Sequence, residues 1–523
     1  MKNLIHLSTV DTLVIVLYFV VLFGIAAWAS FGRKRKGTLF LANKSLGWFA
    51  IGLTMWGTNV GPSMLIANAS SGYESGLVAG NFSWYAFPFI CLLAFVFAPR
   101  YLGANVTTLP EYMGKRFGEN TRTYIAWYTI VTVLISWLGL QLFSGGVFLA
   151  QFLDLPLWVC IVILVIVSAA FTIAGGLKTI AYTNVFQQLL LIAVTVLLAA
   201  MAFVKVGGVE VIAEKTPTEY WNMFQPLSDP NFPWLAIILG YPVMGIWFWC
   251  TDQSMVQSIL GARNVKQGQM GANFTAWLKL FDIPLFILPG ILCFIIIPEL
   301  TKSTDAYLQL VTRVFPSGMI GLVIVVMAAA LISTIAAALN SLSAVFTMDI
   351  YMKMKKKPVS ENKIVRIGRM VVLAGSLLSI ALAIGITFIQ GLSFFNIFQS
   401  VLGFIAPPMA AAFLFAVFRK KTSSRAINIV LIAGTVFSIG TGILYYCGII
   451  FQGIHFLYIS FIIFVTLAIF LFLFSIYDTQ HVAKDIAYQR QPVTSKIKWF
   501  WGVLIVVMIA VYIIFNGHSS PAY

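Results

Sequence analysis

Long apolar runs dominate this chain of 523 residues and limit what it can fold into. A helix needs about 20 mostly apolar residues to cross a bilayer. By that criterion the sequence predicts fourteen spans, near 10–30, 47–70, 78–103, 122–152, 155–175, 181–206, 233–254, 271–297, 318–352, 366–392, 395–419, 424–449, 453–476 and 498–517. Only 10% of the residues are charged, against about 25% in a typical soluble domain. The chain is therefore predicted to be an all-α polytopic membrane protein.

The 33 Lys and Arg residues, which give a net charge of +16, are distributed unevenly among the loops. Cytoplasmic loops of membrane proteins carry an excess of these residues, and alternate loops here do so. The loops on the side opposite to these basic loops hold only five basic residues, Lys2, Lys205, Lys215, Lys302 and Arg313. Lys279 falls inside a span. We therefore expect a multi-pass protein of the cell membrane with both termini outside. The charge indicates orientation in the membrane rather than a nucleic-acid partner.

The residues that usually carry chemistry are scarce in the apolar spans. The five Cys lie in apolar runs without metal-binding spacing, and the four His lie near span ends or outside the spans. No nucleotide-binding Gly-rich loop is present in the sequence, so an ATP-driven pump is not indicated. We expect no enzyme activity and no organic cofactor. Two outside loops, 207–232 and 298–317, are expected to form short surface helices.

Gly and Pro interrupt two spans that lie five helices apart. The second span reads Trp-Gly-Thr-Asn-Val-Gly-Pro-Ser over 56–63, and the seventh reads Gly-Tyr-Pro-Val-Met-Gly over 240–245. Pro removes a helical hydrogen bond and clashes with the preceding turn. Interrupted helices at corresponding positions of two halves indicate a transporter binding site, and an odd interval gives the halves inverted topology. The alternative is that Gly and Pro are merely frequent in membrane helices.

The ninth span contains a run of small residues followed by two hydroxyls, Ser333 and Thr334. A hard cation takes several oxygen ligands. Carbonyl oxygens of Gly57, Val60 and Ala330 can complete a set of five with these hydroxyls. Ser and Thr in membrane helices also bond back to the preceding turn, which is the alternative interpretation.

A proton-driven carrier needs a titratable group at depth in the membrane. Only Lys279 and Asp282 lie well inside a span. At a spacing of i and i+3 the two side chains can form an ion pair, which would be a structural role. The available oxygens therefore favour sodium over a proton as the coupling ion.

Short motifs in a fixed order run through the chain. The most specific is Trp-Cys-Thr-Asp-Gln at 249–253, followed by Val-Gln at 256–257 and Ala-Arg-Asn at 262–264; the others lie at 109–112, 115–117, 175–177, 339–341, 346–351, 399–400 and 406–408. With these motifs the chain resembles the sodium/solute symporter family, close to its sodium/glucose cotransporter branch, over most of 40–425. The resemblance implies a single transporter domain, 1–523, with a LeuT-type core of two inverted five-helix repeats, 47–206 and 233–419. One extra helix, 10–30, precedes the core and three, within 424–517, follow it.

The resemblance also implies the site residues. The sodium ligands are Gly57, Val60, Ala330, Ser333 and Thr334, the set that the helix interruption also indicates. The solute contacts are Asn59, Ser63, Met64, Ser83, Lys279 and Gln399, the gate residues are Phe248 and Trp249, and Asn184 lies on the sodium exit path. Four of these positions depart from the family pattern. Ser83 replaces an acidic residue that holds sugar hydroxyls, Met64 replaces a polar one, Phe248 replaces a Tyr and Asn184 replaces an Asp.

We therefore expect a sodium-coupled secondary active symporter that imports a sugar-like solute, such as a monosaccharide, a polyol or a sugar derivative. Because the acid is absent at Ser83 while Lys279 is present, an anionic sugar is an alternative solute. Two other functions stay open: a carrier of the same fold for a small carboxylate or another organic solute, and a membrane sensor that transports nothing. The longest cytoplasmic segment, 477–497, is short for a signalling output.

The positions of a second sodium site, known in some relatives, are Ala336 and Ala337 in this chain. Methyl groups cannot ligate a cation, so we expect one sodium ion per solute. Solute uptake measured against sodium concentration should give a Hill coefficient near one. A coefficient clearly above one would contradict this stoichiometry.

Overall fold

A computed structural model describes residues 8–30, 38–153, 155–316, 318–355, 359–387, 394–486 and 493–516. The regular structure in these ranges consists of 24 α-helices, short 3-10 turns and π-helical segments, without a named β-strand. Several of the π-helical segments continue directly from an α-helix, so that one span is built from consecutive α and π pieces. The predicted all-α architecture is confirmed.

The helices up to the middle of the chain are numbered in chain order. They are α1 (Thr9–Ser30), α2 (Thr38–Leu41), α3 (Trp48–Asn59), α4 (Pro62–Ser75), α5 (Asn81–Trp84), α6 (Phe87–Leu92), α7 (Ala98–Gly103), α8 (Leu109–Phe117), α9 (Glu119–Thr132), α10 (Gln141–Leu153), α11 (Leu157–Val206) and α12 (Val209–Lys215). π-Helical segments connect α6 to α7 and α9 to α10.

The second half continues the numbering. It contains α13 (Trp234–Ile246), α14 (Gln253–Leu260), α15 (Val265–Leu280), α16 (Leu288–Ile296), α17 (Ala306–Val314), α18 (Ile320–Val345), α19 (Glu361–Ile386), α20 (Phe394–Phe418), α21 (Ser424–Ile429), α22 (Thr435–Tyr446), α23 (Phe456–Tyr477) and α24 (Ser495–Ile514). The predicted surface helices are present as α12 and α17.

The predicted number of fourteen spans is not confirmed. Among the described residues, eleven helices are long and apolar enough to cross a membrane, or twelve if the bent pair Val265–Leu280 and Ile283–Ile296 forms one span. Two interruptions reduce the number. The predicted second span is divided between α3 and α4, and α11 bends at Gly176, where φ is 58°, leaving the short apolar piece Leu157–Ile173.

Helix α18 lies at the centre of the molecule. Every residue from Val323 to Val345 is buried, and the helix packs against α1, α3, α10, α11 and α19. A helix that is apolar all round belongs in a protein core or a membrane. Close packing is visible at Gly145 of α10, where a Cβ atom would lie 2.2 Å from the Leu331 side chain. The small-residue run of α18 is therefore enclosed on all sides by other helices.

The peripheral helix α1 presents apolar side chains to the outside of the bundle. Leu13, Leu17 and Val20 are each 63% exposed, as expected of a surface that faces lipid. Asp11 anchors this helix, because its Oδ1 accepts a hydrogen bond of 2.6 Å from the backbone N–H of Gly321 at the start of α18. The extra N-terminal helix is thus attached to the central helix through a buried carboxylate.

Candidate functional site

The interruption of the second predicted span lies where the sequence places it. Helix α3 ends at Asn59, Val60 and Gly61 have extended backbone, and α4 begins at Pro62. Pro suits the first position of a helix, where its missing N–H is not needed. Of the last carbonyls of α3, those of Trp56 and Asn59 accept from the N–H groups of Val60 and Gly61. Those of Gly57 and Thr58 have no backbone donor among the described residues, as is usual at the end of a helix. Backbone oxygens are therefore available at a buried point of the membrane-spanning region.

Helix α18 brings hydroxyl groups to these oxygens. The Oγ1 of Thr334 lies 3.0 Å from the carbonyl oxygen of Ala330 and 3.5 Å from that of Gly57. The neighbouring Ser333 hydroxyl is buried and has no hydrogen-bond partner among the described residues. A buried polar group without a partner is uncommon, and Ser333 directly precedes Thr334 on α18. Val60, which is fully buried at the interruption, belongs to the same region.

Uncharged amides of α11 line the other side of Gly57. A Cβ atom on Gly57 would lie 2.4 Å from both the Cδ and the Nε2 of Gln188. Gln188 and Asn184 are buried, and neither amide has a hydrogen-bond partner within the part of the chain that the structure describes. Asn184, which the sequence predicts on the sodium exit path, lies one helical turn before Gln188 on α11. These two amides form the amide strip, of which Gln188 is the member that packs against Gly57.

The second interruption differs from the prediction. Helix α13 runs unbroken through 240–245, with Pro242 inside it, and continues as a π-helical segment to Thr251. The helix breaks at Asp252, whose backbone is extended. The Oδ1 of Asp252 accepts hydrogen bonds from the N–H groups of Ser254, at 2.8 Å, and Met255, at 3.1 Å. The expectation of a break at 240–245 is wrong, because a side-chain cap at Asp252 ends the helix further along.

Lys279 is the centre of a buried polar cluster. Its Nζ donates to the Oδ1 of Asn59 at 2.9 Å and to the Oγ of Ser83 at 3.3 Å, and it forms an ion pair with Asp282. The Ser83 hydroxyl donates to the Oδ2 of Asp282 at 3.0 Å, and the Nε1 of Trp56 donates to its Oδ1 at 2.8 Å. Three predicted solute contacts, on three separate helices, are therefore joined directly.

Aromatic rings lie next to this cluster. The Lys279 Nζ is 5.8 Å from the centre of the Trp249 ring, within the range of a cation–π interaction. Phe248 packs against Trp249 with ring centres 5.1 Å apart, and against Trp137 at 5.4 Å. The two predicted gate residues thus form part of one aromatic wall beside Lys279.

Three other predicted contacts have a less direct relation to the cluster. Met64 is half-buried and is the third residue of α4. Ser63 belongs to α4 and Gln399 to α20, but their side chains lie outside the described part of the structure. Their contact with a solute stays a prediction.

Sequence reasoning missed two residues of the site. Trp56 binds Asp282 across two helices, and Gln188 packs against Gly57. Asp282 was visible as a candidate partner of Lys279, but its contacts with Ser83 and Trp56 were not. The signal that could have identified Asp282 as a site residue was the presence of an acid three residues after a base within one apolar span.

A helix interrupted at depth, with a hydroxyl-lined cluster of oxygens and an adjoining polar cluster, is typical of a secondary transporter. The sequence matches the model of the sodium:solute symporter family over residues 39–434. The chain belongs to this family and is a sodium-coupled symporter of the membrane.

Curated relatives and solved structures agree with this assignment. Sodium/glucose cotransporter 1 of Ovis aries is 32% identical, covering 90% of this chain and 79% of the relative; sodium/glucose cotransporter 2 of Rattus norvegicus is 30% identical, covering 87% and 76%. A substrate-bound outward-open structure of a Na+-coupled sialic acid symporter matches with a TM-score of 0.79 at 19% identity, covering 92% of this chain and all of that one. Mhp1, a nucleobase-cation-symport-1 family transporter, matches with a TM-score of 0.52 at 16% identity, covering 86% of this chain and 95% of that one. The fold is the LeuT-type fold that the sequence resemblance implies.

The contact between Gly57 and Gln188 can be tested by adding a methyl group. Gly57→Ala should displace the enclosed Gln188 amide and disturb the adjacent carbonyl oxygens. Overpacking of this kind costs about 1–3 kcal/mol, so we expect a lower unfolding temperature in detergent and a higher sodium concentration for half-maximal uptake. Gly385→Ala is the matched control, because a Cβ there meets nothing within 4 Å. Unchanged stability and sodium dependence in Gly57→Ala would contradict the expectation.

Proposed function

We propose that this symporter imports a sugar-like solute together with one sodium ion by alternating access. The observation that carries the proposal is the adjacency of the two clusters. Asn59, which contacts Lys279, lies between Gly57 and Val60 on the interrupted turn. Sodium bound by the carbonyls of this turn would fix the Asn59 amide in place for a solute.

The chemistry of the second cluster suits a polyhydroxylated ring. Sugar recognition requires an aromatic surface against the apolar ring face and hydrogen-bonding groups for the hydroxyls. Trp249 supplies the first, while Asn59, Ser83 and Lys279 supply the second. Relatives named as sodium/glucose cotransporters, at about 30% identity, support the same class of solute.

The sodium ligands in this proposal are Gly57, Val60, Ala330, Ser333 and Thr334. Support comes from the distances of Thr334 to two carbonyls and from the unpartnered Ser333 hydroxyl. Bound sodium would join α3 to α18 and stabilise the outward-open form. Release to the inside would follow the amide strip past Asn184.

The loop charges support a placement in the cell membrane with both termini outside. The two repeats, 47–206 and 233–419, would then rock relative to each other around the site. The interruptions at Val60 and at Asp252 would lie in equivalent helices of the two repeats. Asp252 belongs to the same predicted span, 233–254, as residues 240–245. The two interruptions would therefore still lie in corresponding spans of the two repeats.

Reconstituted liposomes test the coupling. An inward sodium gradient should drive accumulation of a labelled sugar or polyol above its equilibrium level. Linkage requires that sodium and solute raise each other's affinity by the same factor, so isothermal titration of each ligand with and without the other should give equal ratios. Equal uptake with and without the gradient would overturn the proposal of symport.

Two substitutions should separate the ion site from the solute site. Ser333→Ala removes one proposed sodium ligand and should raise the half-saturating sodium concentration more than it changes solute affinity. Gln399→Ala should do the reverse. Ser343→Ala, on the same helix, is the control, because that hydroxyl bonds to the Gly368 carbonyl at 2.7 Å. Its loss should cost about 0.5–1.5 kcal/mol of stability and leave sodium dependence unchanged. The same loss of sodium dependence in both Ser variants would contradict the assignment.

A further inference from the structure

The hydrogen bonds around Lys279 leave no donor of this ammonium group free. Its three N–H groups meet three acceptors, on Asn59, Ser83 and Asp282. The Asp282 carboxylate is held equally firmly, because Oδ1 accepts from Trp56 while Oδ2 accepts from Ser83 and Lys279. The two charges therefore form a closed, neutral unit beside the aromatic wall.

Burial makes this neutrality energetically important. The Lys279 side chain is 2% exposed and the Asp282 side chain is fully buried. Removing one member of a buried ion pair leaves an uncompensated charge, which is strongly destabilising. A solute that enters the cluster must therefore leave the charges of this region balanced.

We propose that the Lys279–Asp282 pair makes the solute site select an uncharged polyhydroxylated solute over a sugar acid, with Asp282 as the specificity-determining residue. This inference rests on the proposed function and names the class of solute within it. A solute hydroxyl that takes the place of the Ser83 hydroxyl can accept from Lys279 and donate to Asp282 as Ser83 does, so the balance of charge is kept. A solute carboxylate would place a second anion beside one cation, and Asp282 would have to give up its partner.

A purely structural ion pair would have a different environment. Residues three apart on one helix can pair without contacting anything else. Here the pair instead contacts Asn59, at the end of α3 beside the interruption, and Ser83 of α5. The pair therefore lies among the predicted solute contacts rather than at a distance from them.

The experiment compares sugars that differ only in charge. Purified protein in nanodiscs, with sodium, is titrated with glucose and glucuronate, with galactose and galacturonate, and with myo-inositol. Wild type should bind neutral members and discriminate against the acids. Asp282→Asn leaves Lys279 as a net positive charge and should shift the acid-to-neutral affinity ratio toward the acid by about tenfold or more, the size of one charge-assisted hydrogen bond.

Two variants control for charge and for folding. Lys279→Gln combined with Asp282→Asn removes both charges, so the doubly substituted protein should fold and keep the preference for neutral sugars even if Asp282→Asn alone does not fold. Asp349→Asn changes a buried carboxylate that pairs with Arg122, away from the solute contacts, and should leave the ratio as in wild type. An unfolding temperature measured for each variant separates a loss of fold from a change of selectivity.

The outcomes distinguish the two proposals. If wild type or the doubly substituted protein prefers the acids, or a folded Asp282→Asn keeps the wild-type ratio, the charge-selection inference is overturned while sugar transport stands. If none of these solutes binds to any folded form in the presence of sodium, the proposed function itself fails and the inference fails with it.

Discussion

The interruption of the second span at Val60 is the constraint on which the rest of the structure depends. In hydrocarbon every backbone N–H and C=O group must be satisfied within the protein, so irregular backbone is tolerated only where it is enclosed. Helix α18, buried throughout its central part, and α15, which carries Lys279, provide that enclosure. The carbonyl oxygens that the interruption leaves are the ones open to an ion, so the fold and the proposed sodium site have the same origin.

The first interruption was predictable because Gly57, Gly61 and Pro62 together make a continuous helix costly. The second was misplaced because Pro242 remains inside α13, which continues as a π-helical segment. Membrane helices tolerate Pro where local π-helical adjustment and neighbouring helices satisfy the backbone groups that Pro leaves without a hydrogen bond. Asp252 interrupts that helix by capping the next one, a signal that polar capping residues carry in any sequence. The predicted number of fourteen spans is not confirmed, because a run of apolar residues does not reveal where it is bent and a bent span is harder to count from its length alone.

The pairing of Lys279 with Asp282 was predictable from their spacing, because both lie on adjoining turns. Their contacts with Asn59 and Ser83 were not, since those residues lie 220 and 196 positions away in the chain from Lys279. Only the family resemblance placed them together. The approach of Gln188 to Gly57 depends on how α11 crosses α3, which no pattern in either segment expresses. Position 83 lacks the acidic residue of the family pattern, but the cluster still contains a carboxylate. It belongs to Asp282, which accepts a hydrogen bond from the Ser83 hydroxyl.

A neutral solute leaves the sodium ion as the only net charge that crosses the membrane in the proposed cycle. A potential of 100 mV contributes about 2.3 kcal/mol to the movement of each elementary charge. With tenfold accumulation requiring about 1.4 kcal/mol, one ion can sustain a large solute gradient on the potential alone. An anionic solute would cancel the charge of the ion and forfeit that contribution. If the proposed selection holds, the pairing of Asp282 with Lys279 would serve the energetics of uptake as well as the choice of solute, because the sodium ion would remain the one net charge added by the two ligands.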